Sequence, residues 1–278
     1  MNNKKPSAAG RIAAGLLSLA ALGALAACET VSTTQAGTIG IDRTQRMSSL
    51  VSEAQLEQEA VGLYQQTLSQ ASTKGQLNPN ASQTTRVRNI AQRLIGQVGV
   101  FRPDATRWNW EINVIGSSEV NAWCMPGGKI AVYTGLLDAV KPTDDELAAV
   151  LGHEIAHALR EHAREQASQQ VATNVGLSVL AAVTGSQAAS DLGGTLSNVM
   201  FGLPNSRLHE TEADRIGVEL AARAGYDPRA AVTLWTKMEK LSSGGGTPEL
   251  LSTHPSAESR IADLQKASQQ VLPLYHPR

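Results

Sequence analysis

Thr143-Asp144-Asp145-Glu146-Leu147-Ala148-Ala149-Val150-Leu151-Gly152-His153-Glu154-Ile155-Ala156-His157 is the stretch on which the fold turns. Thr143 with Glu146 three residues later is a capping box. Leu147, Leu151, Ile155 and Ala158 make an apolar stripe at helical period, so a helix is predicted. On that helix His153 and His157 stand about 40° apart on one face, close enough to share a metal ion, with Glu154 beside them. Both imidazoles lie roughly 140° round from the apolar stripe, which argues against two histidines merely satisfied in a core. Six His and sixteen Glu yield H-E-x-x-H by chance in about one such chain in a hundred, so a third ligand is required.

A further His six residues after His157, with Gly three after it, would be one solution. Those positions hold Ala163 and Arg160, which excludes it. His162 is turned roughly 140° from His157 along a continuous helix, so it reads as a surface residue or as support behind a ligand. The better candidates are in Ser206-Arg207-Leu208-His209-Glu210-Thr211-Glu212-Ala213-Asp214. Glu210 and Asp214 share a helix face, while Glu212 points the other way. One carboxylate ligand, plus a second carboxylate holding a ligand imidazole, is what a two-His, one-Glu zinc site needs. His209 is the local rival as ligand, and a solvated acidic face is the plain alternative.

Around these motifs the chain is of ordinary globular composition. Its 24 basic and 25 acidic residues give a formal charge of −1, without the basic excess of a nucleic-acid binder. Residues 1–27 differ from the rest. Lys4, Lys5 and Arg11 precede an uncharged run from Ile12 to Ala27, the pattern of an export signal and short for a membrane span. Without those three positive charges the remaining 251 residues carry −4. Residues 28–46 are Thr-, Ser- and Gly-rich and read as a flexible tether. Residues 47–278 form one α+β domain, with helices predicted at 49–72 and 83–98, strands at 108–114 and 129–134, and helix almost throughout from Thr143. The charge-poor stretch 166–203 reads either as a mobile hydrophobic hairpin or lid, or as a buried helix with a Gly-rich loop.

Two resemblances sharpen the reading. Leu25-Ala26-Ala27-Cys28 resembles the bacterial lipoprotein signal, which implies cleavage before Cys28 and a lipid anchor on it, leaving Cys124 a free thiol. Glu29, where Asp would signal inner-membrane retention, then implies the periplasmic face of the outer membrane. The paired motifs H-E-x-x-H and S-R-x-x-E-x-E-A-D resemble the zinc metallopeptidase family of the CAAX prenyl endopeptidase, the heat-shock membrane protease and the mitochondrial overlapping-activity protease. Asn121-Ala122-Trp123 with Met125-Pro126-Gly127-Gly128 is similar to that family's N-A-F-x-L-P-G-G, and His254-Pro255 with Arg260 to its H-P-x-x-x-x-R.

The resemblance implies a mainly helical, gluzincin-type fold with a small sheet over the active-site helix. It implies one Zn²⁺ per chain held by His153, His157 and Glu210, with Asp214 holding a ligand imidazole and Glu154 as general base. The strand at 129–134 is expected to pair with extended substrate, with Asn121 and Ala122 giving main-chain contacts. His254 is open between a helix-start cap and a gate or fourth ligand on the metal. The expected activity is endopeptidase cleavage of unfolded or misassembled cell-envelope polypeptides by a lipid-anchored protein. The alternative is a chaperone-like envelope assembly factor that keeps the zinc fold with little proteolysis.

Overall fold

The computed structural model describes residues 28–184, 195–243, 248–255 and 258–277; residues 1–27, read above as an export signal, lie outside them. Five strands are named here in chain order: β1 (Cys28–Val31), β2 (Gln45–Ser48), β3 (Glu111–Ile115), β4 (Ala122–Met125) and β5 (Lys129–Tyr133). Nine helices follow the same convention. They are α1 (Glu53–Thr73), α2 (Ala81–Ile95), α3 (Asp144–Leu159), α4 (His162–Thr184), α5 (Thr195–Phe201), α6 (Arg207–Arg223), α7 (Ala230–Ser243), α8 (Glu249–Thr253) and α9 (Glu258–Val271).

Helix α3 is the centre. The predicted capping box is present in both directions, and Asp144, Asp145 and Glu146 place negative charge on its first turn, where the helix dipole favours it. Leu147, Leu151, Ile155 and Ala158 are buried as the stripe requires. The histidine face is buried too, because α6 crosses α3 there. The crossing is made at two glycines: a Cβ on Gly152 would lie 2.8 Å from the Gly217 carbonyl oxygen, and one on Gly217 would lie 2.8 Å from the His153 nitrogen. Each glycine costs about 1 kcal/mol of helix propensity relative to alanine. In return the backbones approach closely enough for α6 to present its carboxylates to the α3 histidines.

The helices expected at 49–72 and 83–98 are α1 and α2, capped by Ser52 and Asn80. Strands β3 and β5 occupy the predicted segments, except that 108–110 precede β3 and contribute the paired rings of Trp108 and Trp110. The sheet order is β3-β5-β4, with β3 parallel and β4 antiparallel to β5. This corrects one expectation. Lys129–Tyr133 is the central strand with both edges paired, so it cannot take up a substrate strand. The outer strand beside α3 is β4.

The segment expected to be a flexible tether is packed. β1 pairs with β2 along its whole length, and Thr34, Ile39, Ile41, Gln45 and Met47 are buried. The Thr38 and Ile39 N–H groups donate to the Glu219 carboxylate of α6 at 3.0 and 2.8 Å. Its order comes from polar partners far along the chain, which a local reading of a Thr- and Gly-rich stretch does not reveal.

Within 166–203, α4 and α5 are described and 185–194 lie outside the described residues. Leu196 and Val199 of α5 are buried with Tyr64, Trp123 and Ala167. No described helix is long and apolar enough to cross a membrane.

Candidate active site

Four buried side chains converge where α3, α6 and the end of α8 meet: His153, His157, Glu210 and His254 each offer a ligand atom within 4.8 Å of the others. His153 Nε2 lies 3.1 Å from His157 Nε2 and 3.1 Å from His254 Nδ1. Glu210 is 3.4 Å from each α3 imidazole and 2.9 Å from His254 Nδ1. His209, the rival ligand, is not in this group; its Nε2 faces Glu165 at 3.2 Å.

The groups behind the histidines set their protonation. Asp214 only accepts, so His153 Nδ1, 2.9 Å away, donates to it and leaves its Nε2 lone pair facing the cluster. On the other side Glu212 accepts from His162 Nε2 at 3.0 Å. Burial keeps His162 neutral, its pKa well below the ordinary value. Its Nδ1 therefore accepts from His157 Nδ1, 2.9 Å away, and the His157 Nε2 lone pair also faces the cluster. Two imidazole nitrogens 3.1 Å apart need either a proton or a metal ion between them. Tetrahedral zinc at its usual Zn–N distance holds two nitrogens about 3.3 Å apart, so the donor set fits zinc.

His162 supports His157 from behind, one of the two roles read from the sequence, but not by the angle of a continuous helix. Helix α3 ends at Leu159, Glu161 takes the left-handed conformation at φ 51°, and α4 starts afresh at His162. The turn angle from His157 does not carry across that break, and the imidazole swings under its neighbour, where it stacks on His209 with ring centroids 4.3 Å apart.

Arg260, noted in the sequence only as part of a motif, is a central member. Its Nε and NH2 donate to the Asp214 carboxylate at 2.6 and 2.8 Å, and NH1 sits 2.9 Å from Glu210 Oε2. Its guanidinium lies 3.6 Å over the Trp235 ring, which also edges His153. Burial opposes charge on Glu210, yet His254 and His153 hold its carboxyl well below the usual range. Burial of His153 is likewise overcome, by Glu210 and Asp214, so without metal its pKa is pushed up to about 9. That proton is what a bound metal displaces.

Glu154 faces the same cluster without belonging to it. Burial raises its carboxyl, with His254 and His153 only partly offsetting this, and its Oε1 lies 3.5 Å from His254 Nε2. Glu154, His157 and His254 line a cleft together with the apolar side chains of Trp123, Met200 and Phe201. Strand β4 also borders it. The Tyr133 N–H donates to the Asn121 carbonyl at 3.0 Å, and the alternation this sets turns the main-chain groups of Ala122 and Cys124 away from β5. Asn121 Oδ1 accepts the Ala122 N–H at 2.9 Å. Cys124 is a free, buried thiol.

The comparisons agree with this geometry. The model of peptidase family M48 matches residues 81–268. Mitochondrial metalloendopeptidase OMA1 of Arabidopsis thaliana is 41% identical over 160 residues, 58% of this chain and 32% of that protein. The Danio rerio metalloendopeptidase OMA1 is 42% identical over 177 residues, 59% of this chain and 37% of that one. The β-barrel assembly-enhancing protease of Escherichia coli is 31% identical over 200 residues, 69% of this chain and 40% of its own length. The aligned regions thus span well under half of each of these relatives. The family match contains α3, α6 and both carboxylates behind the site, and the converging His153, His157 and Glu210 are the donors that a zinc peptidase requires; the chain belongs to peptidase family M48.

Proposed function

We propose that this protein is a zinc endopeptidase acting on extended or unfolded polypeptide, with the metal held by His153, His157 and Glu210. The observation that carries this is the convergence of His153, His157 and Glu210 donor atoms on one point beside the buried Glu154. Zinc, when bound, supplies a Lewis acid that lowers the pKa of a water and polarises the scissile carbonyl. Glu154, with its carboxyl raised by burial, takes the proton of that water and delivers it to the leaving amine. Asp214 and Arg260 fix the tautomer and position of His153. The outward main-chain groups of Ala122 and Cys124 offer an edge for an extended substrate, and the Asn121 side chain settles the Ala122 N–H. His254 lines the cleft and lies within the donor group, so it serves as a fourth ligand that gates the metal.

The cellular reading is quality control of cell-envelope proteins by a lipid-anchored enzyme at the periplasmic face of the outer membrane. The lipoprotein-like Leu25-Ala26-Ala27-Cys28 and the name of the E. coli relative favour it. Because β1 begins at Cys28, a lipid there would hold the domain against the bilayer with little slack.

Glu154→Gln tests the enzymatic reading. Zinc content should stay near one per chain, while cleavage of an unfolded substrate such as casein falls by about 10²–10⁴-fold. Unchanged cleavage overturns the assignment. A cellular role that survives the substitution points instead to assembly without proteolysis.

A further inference from the structure

The buried polar network beneath His157 reaches into a part of the chain that the family match does not cover. Glu212, which accepts from His162 Nε2, is gripped by Arg43 through Nε at 2.7 Å and NH2 at 2.9 Å. The same guanidinium forks onto Glu165 at 2.7 and 2.9 Å. Gln45 Nε2 donates to Glu165 and to the Arg160 carbonyl, both at 2.7 Å, and Arg160 NH2 returns a bond to the Arg43 carbonyl at 3.1 Å. Glu212, Glu165, Arg160 and His162 are all buried, whereas the family model begins only at residue 81. The helix break at Glu161 explains why such a clamp is useful. α3 holds His157 on a rigid helix, but His162 starts a new one, and the hydrogen bond between them survives only if α4 is pinned.

We infer that Arg43 is a positioning residue for the metal centre, acting through Glu212 and His162 on the orientation of His157. Arg43 and Gln45 from the N-terminal segment therefore act as a strap that holds the α3–α4 junction. Arg43 forms two bidentate pairs because it must hold two carboxylates from different helices in one plane, which an ammonium cannot do. The inference rests on the zinc reading above and deepens it.

The test is zinc affinity of the full chain by chelator competition, together with the visible spectrum of the cobalt-substituted protein and separate kcat and KM values on an unfolded substrate. Loss of a supporting residue behind a ligand histidine costs about 10–100-fold in metal affinity or activity. Arg43→Ala should weaken zinc by that factor, shift the cobalt bands and lower kcat with KM little changed. Arg43→Lys should lose less, and Arg46→Ala, at an exposed neighbour, should lose nothing. Arg43→Ala should add no further loss of zinc affinity once His162→Gln has cut the link. Folded Arg43→Ala protein with wild-type zinc affinity and cobalt spectrum overturns the inference, as does full additivity with His162→Gln. If Arg43→Ala does not fold, Arg43→Lys decides by the same readouts. Wild-type protein that binds no zinc would sink the zinc reading itself, a distinct result.

Discussion

His153 and His157 sit one turn apart on one helix and aim at one point, yet they are held in two different ways. Behind His153 the support is direct: Asp214 accepts its Nδ1–H at 2.9 Å, and Arg260 forks onto Asp214. Behind His157 the carboxylate is one residue further off, with His162 interposed between the ring and Glu212, and Arg43 and Arg160 holding Glu212. The direct arm is built from α6 and α9, inside the family match at 81–268. The indirect arm takes its last member from residue 43, outside it. A direct carboxylate makes its histidine a stronger donor, whereas a neutral imidazole in between transmits less charge and depends on more parts staying in register.

The largest expected effect is on the direct arm. Asp214→Ala should weaken zinc toward the upper end of a range of about 10–100-fold, and Arg43→Ala toward the lower end. It also strands the buried Arg260 charge, at a cost of about 3–5 kcal/mol in denaturant unfolding. A loss no greater than that of Arg43→Ala would erase the distinction between the arms.

The two arms should respond oppositely to pH in the zinc-free protein. His153 has its pKa raised to about 9 from an unfolded value near 6.5. Its contribution to stability is therefore fully present below about pH 6.5 and lost as pH rises through about 9. His157 and His162 are pushed well below their ordinary value, first of all by burial. The unfolded chain then binds their protons more readily, so stability is present above about pH 6.5 and is lost as pH falls below it. Unfolding free energy measured across pH should thus peak near pH 6.5 and decline from there to about pH 9, and His162→Gln should weaken the acid limb alone. A flat profile would break the comparison.

The smallest effect concerns His254, the remaining member of the cluster. His254 touches Glu210, His153 and the edge of Glu154 but belongs to a short loop after α8. His254→Ala should raise peptide turnover by about two- to tenfold, as expected when a blocking conformer is removed. An unchanged or lower rate in a steady-state assay counts against gating.

Much of this is legible in the sequence alone. The capping box, the α3 register of His153 and His157, and the shared face of Glu210 and Asp214 are local, because they depend on residues three or four apart on a helix. The membership of Glu210 rather than His209 follows from the family resemblance, and the geometry agrees with it. The features that sequence reasoning misplaces are of another kind. Residues 28–46 are not a tether because their partners, Glu212 and Glu219, stand 169 and about 180 residues away. A helical angle misplaces His162 because a single left-handed residue, Glu161, ends the helix. The strand at 129–134 is not the substrate edge because strand order cannot be read from alternation.

By itself, then, the sequence determined the metal-binding chemistry, since ligand types at helical spacing are a one-dimensional signal. The tertiary structure decided how that chemistry is held. The Gly152–Gly217 crossing brings α6 to α3, Arg260 arrives 46 residues from Asp214, and Arg43 closes the network from the far end of the chain. Those contacts depend on which helices cross and how closely, and burial makes each unpaired member costly. The support of the two histidines is therefore a property of packing that no local motif encodes.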